Sequence, residues 1–237
     1  MSNANIENCG VNSGTITSTK GLLGGVVGLL QGGYVESCYN KANVTSTESS
    51  HVGGIVGRMG DYLIKNCYNI GDIQGKSDNT SAGNGGIIGY SDSGVIIKNC
   101  YNNGNIISLR KCRSGGIIGN YSNAKSISNC YNLAQSSHGG ICGILAGNIF
   151  EMKDCYNKGK CLGGIASYFS SNNSSMENCI YLTGTANTGI VELDRGTPQV
   201  EEREELPSVL SVINGDNAFV ENNDGYPILR WQILNNN

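Results

Sequence analysis

Proline is nearly absent from this chain, at 3 residues of 237. That excludes collagen and proline-rich linkers. Histidine is scarcer still, with only His51 and His138. Charge is sparse: 15% of residues are charged and the net charge is -3. No basic surface is offered to phosphates, so nucleic acid is not an expected partner. Long apolar runs are missing too. The longest, Leu22 to Leu30, holds three glycines and is too short to span a bilayer, so no membrane insertion is expected. No basic stretch followed by an apolar one opens the sequence. If the protein is exported, its signal peptide is expected upstream of residue 1.

Glycine, by contrast, is abundant at 35 residues. Aliphatic residues and tyrosine suffice for a packed core, which argues against disorder. The dominant feature is self-similarity. One block, Asn-Cys-Tyr-Asn, stands at 66–69, 99–102 and 129–132, with variants around Cys9, Cys38, Cys155 and Cys179. A second, Gly-Gly-Ile-Val-Gly or close to it, begins at Gly24, Gly53, Gly85, Gly115, Gly139 and Gly163. A weaker Gly-x-Ile block begins at Gly14, Gly71 and Gly104. The repeat cysteines 9, 38, 67, 100, 130, 155 and 179 are spaced by 29, 29, 33, 30, 25 and 24 residues.

Runs of four or five residues bounded by Gly or Asn suit solenoid strands and are too short for helices. Three such strands with turns use about 24 residues, which makes one coil per repeat. The expected fold is therefore all-β: a parallel β-helix of six to seven coils over residues 1–194, about 24–33 residues each. Equivalent side chains would stack about 4.8 Å apart. A parity question stays open. Ile64 and Cys67 are three apart, so a straight strand puts them on opposite faces. A bend at Asn66 returns Cys67 to the core; without one, Tyr68 points inward instead.

Length varies at one corner, in segments 45–52, 74–84 and 107–114, and these are expected to project as loops along one edge. The first coil begins mid-repeat, so more protein is expected ahead of it. Residues 195–237 are expected to form a small α+β cap on the apolar end. Helix is expected over Pro198–Ile213, with Thr197 as N-cap and Pro207 restarting a second helix, followed by a strand over Gly225–Trp231.

The alternation of Asn-Cys-Tyr-Asn with Gly-Gly-Ile-Val-Gly over about residues 5–190 resembles the GLUG-motif repeats of large bacterial surface proteins. Such repeats also accompany the protease domain of immunoglobulin A1-cleaving peptidases. The closing Gly225–Trp231 is similar to the segment that often ends these arrays. The peptidases' His-Glu-x-x-His motif is missing here, so the resemblance implies the accessory array, a bacterial source and an extracellular or cell-surface location.

Cysteines 9, 38, 67, 100, 130, 155 and 179 admit three readings: disulfides, metal ligands, or a buried ladder of reduced thiols. The fixed register favours the ladder, and the lack of close pairs and histidine partners disfavours metal. Cys112 is expected in a loop, as a free surface thiol. Tyrosines 39, 68, 101, 131 and 156 form either a packing ladder or an exposed stripe for sugar stacking. Glu7, Glu36, Lys65, Lys98, Lys153 and Glu177, each two before a cysteine, suggest a solvated face with opposite charges stacked. Asp61, Asp72, Asp78 and Asp92 share no register, so no acid–base constellation stands out. No catalytic residue, cofactor or metal is expected. The expectation is a structural or adhesive module whose edge meets a host protein or glycan. The alternative is a carbohydrate-binding or polysaccharide-degrading β-helix.

Overall fold

The computed structural model describes residues 4–48, 51–122, 125–147, 150–205 and 210–234. There the chain winds into a parallel β-solenoid of about six turns. The strands ahead of the cysteines, Ala4–Glu7, Gly33–Glu36, Tyr62–Lys65, Val95–Lys98, Ser126–Ser128 and Glu151–Asn157, lie side by side in that order. Their register is in phase: Ile6, Val35, Ile64, Ile97 and Ile127 stack on one another. Seven strands after the glycine block form the facing sheet, from Val27–Leu30 to Thr188–Arg195. Between the two sheets lies a core that includes Ile55, Ile87, Ile117, Ile141 and Ile165.

A left-handed residue precedes each repeat cysteine. Asn8, Ser37, Asn66, Asn99, Asn129, Asp154 and Asn178 all have φ between 52° and 55°. Asn and Asp tolerate this backbone best among residues with a side chain. The bend resolves the parity question, because it turns the cysteine into the core beside the aliphatic residue three positions earlier. The glycine block has a different cause. A Cβ on Gly86 would stand 2.2 Å from Gly116 O and 2.4 Å from Asn102 Cγ. Coils approach too closely there for any side chain.

Among the described residues, segments 45–52, 74–84 and 107–114 are largely strand rather than projecting loops, which corrects the expectation above, and Asp78–Ser81 alone makes an exposed turn of four residues between two of these strands. Asn43–Ser46, Ile73–Ser77 and Ile106–Arg110 join Thr15–Ser18 in a four-stranded sheet. His51–Gly53, Gly83–Gly85 and Arg113–Gly115 join Leu22–Gly24 in another. Val44, Val52, Ile73 and Ile106 fill the seam between these two sheets. The inserted residues recur in successive coils, so their backbone groups find partners along the axis instead of being left to water. Later coils return directly, through single bridges at Ser136 and Gly139.

Stacking also runs past residue 194. Val200–Arg203 pairs in parallel with Ser175–Leu182, and among the described residues of the helix expected over Pro198–Ile213 only Leu210–Ile213 is helical. The open backbone of the last coil outweighs a weak local preference for helix. Pro207 lies outside the described residues. The strand expected over Gly225–Trp231 shrinks to Ile228–Leu229, antiparallel to Phe219–Val220, and a short helix, Arg230–Leu234, follows. This segment packs along the side of the solenoid rather than across its end. Ile213, Phe219 and Leu229 bury against Tyr131, Tyr156 and Ile180.

Candidate functional site

Among the described residues, three ladders run along the corner marked by the repeat cysteines. The first is sulfur. Cys38, Cys67, Cys100, Cys130, Cys155 and Cys179 have no exposed surface. Each thiol donates to the carbonyl two residues back, at 3.2–3.5 Å, as in Cys67 to Lys65 O at 3.2 Å. Serving that carbonyl beside the bend takes a small side chain with a weak donor. Cys9, on the first described coil, keeps the register but is exposed. All ten cysteines are free thiols. Burial pushes Cys100, Cys142, Cys155 and Cys179 up, which keeps them protonated and unreactive. Cys112 is not the surface thiol expected. It is fully buried on the long-coil side, donating its S–H to Leu109 O at 3.1 Å and accepting an N–H from Asn84 Nδ2 at 3.2 Å.

The second ladder is amide. Asn40, Asn69, Asn102 and Asn132 each donate from Nδ2 to Oδ1 of the next coil's asparagine at 2.7–2.8 Å, ending on Asn157. Each also donates to the carbonyl two residues on, at 2.7 Å. Every rung satisfies a buried turn and is satisfied by its neighbour.

The third ladder is aromatic. Tyr39, Tyr68, Tyr101, Tyr131 and Tyr156 stack face to face with centroids 5.0–5.3 Å apart. Their faces are taken up by one another, which leaves only ring edges and hydroxyls to a ligand. An exposed stripe over all five is not what the structure presents. The C-terminal segment buries Tyr131 and Tyr156 completely. Tyr131 donates to Gln232 Oε1 at 2.8 Å, and Tyr156 donates to Pro227 O. Burial pushes the Tyr101, Tyr131 and Tyr156 hydroxyls up, so they stay neutral donors. The uncovered part is a groove of about 480 Å³. Tyr39, Tyr68 and Tyr101 form its floor, Asn8, Ser37 and Asn66 one wall, and Trp231 and Gln232 its end. Trp231 leans on Tyr68 and Tyr101 and donates to Asn99 O at 3.0 Å. The repeats disclosed the tyrosines but not Trp231. It stands outside the repeat pattern, and nothing in the sequence says which face its segment covers.

The charged row is only partly paired. Lys65 meets Glu36 at 3.0 Å, while Lys98 turns to Asp216 of the C-terminal segment at 3.1 Å. The scattered aspartates serve different coils. Asp72 accepts from the Asn105 backbone at 2.9 Å, Asp78 pairs with Arg110 at 2.6 Å, and Asp92 pairs with Arg58. His51 stacks on Tyr90 at 4.3 Å and accepts from Gly83 N at 3.3 Å. Among the described residues no three His, Cys, Asp or Glu side chains gather as a metal site, and no helix is long and apolar enough to cross a membrane.

No protein-family model, curated protein or solved structure matches the chain. Fold and ladders together define a repeat β-solenoid.

Proposed function

We propose that this solenoid is a non-catalytic structural or adhesive module of an extracellular or cell-surface bacterial protein, one of the GLUG-motif arrays its repeats resemble. It holds a stiff surface toward a host protein or glycan. The observation that carries this reading is the unbroken stacking of the cysteine, asparagine and tyrosine ladders through successive coils. Such stacking favours length and rigidity, because each coil is held by its neighbours and its backbone groups are already paired. The contact surface in this reading is the long-coil edge, where Ile107 and Leu109 lie exposed beside the Arg110–Asp78 pair. The test is a glycan and host-protein binding array combined with an activity screen on the same polysaccharides. Binding without turnover, lost in an Ile107→Asp/Leu109→Asp variant, supports the module. Turnover abolished by replacing one Asp, Lys or Arg overturns it.

A carbohydrate-binding reading has its own support in the groove. Tyr39 gives its hydroxyl to Asn12 Oδ1 at 2.8 Å and the covered tyrosines give theirs to the C-terminal segment. Tyr68 lies open between them, amid amide and hydroxyl side chains and next to the Trp231 indole. Such a lining suits a neutral sugar. Glycan binding lost in Tyr68→Phe and untouched by the edge variant would favour it.

A further inference from the structure

The row of left-handed bends carries a fourth ladder with one odd rung. Asn99 Nδ2 donates to Asn66 Oδ1 at 3.2 Å, and Asn129 Nδ2 donates to Asn99 Oδ1 at 3.0 Å. Each coil's amide thus gives an N–H to the carbonyl of the coil before. Asp154 takes the next position, and Asn178 Nδ2 donates to its Oδ1 at 2.7 Å. By the pattern of the preceding rungs, where the amide NH2 reaches the Oδ1 of the coil before, its other oxygen, Oδ2, takes the place of the NH2 that would serve Asn129 Oδ1. Both atoms are buried and both lack a hydrogen-bond partner. Asn129 and Asp154 are each 0% exposed. Two acceptors left without a donor in the interior are destabilising, and a single proton shared by them would remove the conflict.

We propose that Asp154 is protonated in the folded protein and donates from Oδ2 to Asn129 Oδ1, which closes the ladder and makes the seat of the C-terminal segment respond to pH. That segment sits directly on this rung. A Cβ on Gly215 would lie 3.5 Å from Asp154 Oδ2 and 3.7 Å from Lys153 Nζ. Asp216 Oδ2 accepts from Asn129 Nδ2 at 3.4 Å and from Lys98 Nζ at 3.1 Å.

The charges facing Asp154 are Lys153 on its own strand, Glu177 on the following coil and Asp216 on the C-terminal segment. Burial is the chief cause that holds the Asp154 carboxyl above its ordinary range. The Asn178 hydrogen bond and Lys153 work against it, and Asp216 and Glu177 work with it. Asp216 itself is held below the ordinary range, chiefly by the Lys98 hydrogen bond, and stays ionised. A carboxyl raised in the folded state contributes stability in full below its unfolded value, about 3.9, and loses it as pH rises through the folded value. The seat is therefore firmest in acid and loosens toward neutrality.

Asp154→Asn supplies the missing N–H without changing shape. At neutral pH it should raise Tm by about 2–4 °C, and the difference from wild type should shrink as pH falls. A difference that does not vary with pH would reflect only the better fit of Asn to the left-handed backbone, and would overturn the proposal. Asn99→Asp builds a second facing pair of acceptors, against Asn66 Oδ1. It should add a loss of Tm that grows with pH, and no added pH dependence counts against the proposal. The carboxyl carbon resonance of Asp154, assigned by its loss in Asp154→Asn, gives a direct reading. Titration at or below ordinary aspartate values contradicts the proton.

Discussion

The coils up to about residue 122 and those after it share one corner and differ at the opposite one. Both place a left-handed residue, a buried thiol and a stacked asparagine in the same order, and both press glycine against glycine. The earlier coils then widen into two additional four-stranded sheets around Val44, Ile73 and Ile106, whereas the later ones turn straight back. On their tyrosine side, the later coils gain the C-terminal segment that leaves Tyr39 and Tyr68 of the earlier coils open. The repeat motif therefore specifies how coils stack, while coil length specifies the cross-section. The two regions solve the same edge problem with different material: more strand in one, a folded-back tail in the other.

The sharpest way to break the comparison is at the shared corner. Gly86→Ala in the wide region and Gly140→Ala in the narrow one should cost about the same, roughly 3 kcal/mol or more each. The new Cβ would stand 2.2 Å from Gly116 O in the first and 2.1 Å from Gly164 O in the second. Thermal melts and soluble yield measure this, and a mild effect in either region would show that the corner is not common to both.

A smaller, local loss is expected for Ile73→Ala, about 2–4 kcal/mol from a buried seam. Hydrogen exchange should quicken in Asn43–Ser46 and Ile106–Arg110 and leave Cys142–Ala146 protected. Trp231→Ala should cost about 1–2 kcal/mol through lost ring contact and the bond to Asn99 O. Exchange at Ile228–Leu229 should rise while the seam strands Asn43–Ser46 and Ile73–Ser77, which Trp231 does not touch, stay unchanged.

The smallest expected effect is on acid stability in the wide region. Burial, helped by Arg58, lowers the His51 imidazole to about 4, so it folds neutral. Its contribution is present above the unfolded value of about 6.5 and lost as pH falls through the folded one. His51→Gln should flatten this acid limb by on the order of 1 kcal/mol, read from denaturant midpoints between those pH values.

Much of this architecture was legible because stacking writes itself into sequence as recurrence. The cysteine register and the need for a bend at Asn66 both follow from side-chain alternation along a strand. What was not legible depended on partners remote in the chain. Segments such as Gln74–Asn84 look like loops alone and become strands only when neighbouring coils lie beside them. Val200–Arg203 carries no strand signal of its own and is held by the open backbone of Ser175–Leu182. Cys112 read as a surface thiol for the same reason: Gly75 and Asn84, which meet its sulfur, belong to the preceding coil. The groove was half legible, its tyrosines repeating and Trp231 occurring once.

The central claim is that the repeat cysteines turn inward as a stacked, reduced ladder, and thiol accessibility tests it most directly. Under native conditions without reductant, Cys9 should react quickly and partly buried Cys161, pushed up to about 11, only slowly. After denaturation all ten thiols should titrate. Several fast thiols in the native protein, or fewer than ten after unfolding, would contradict it.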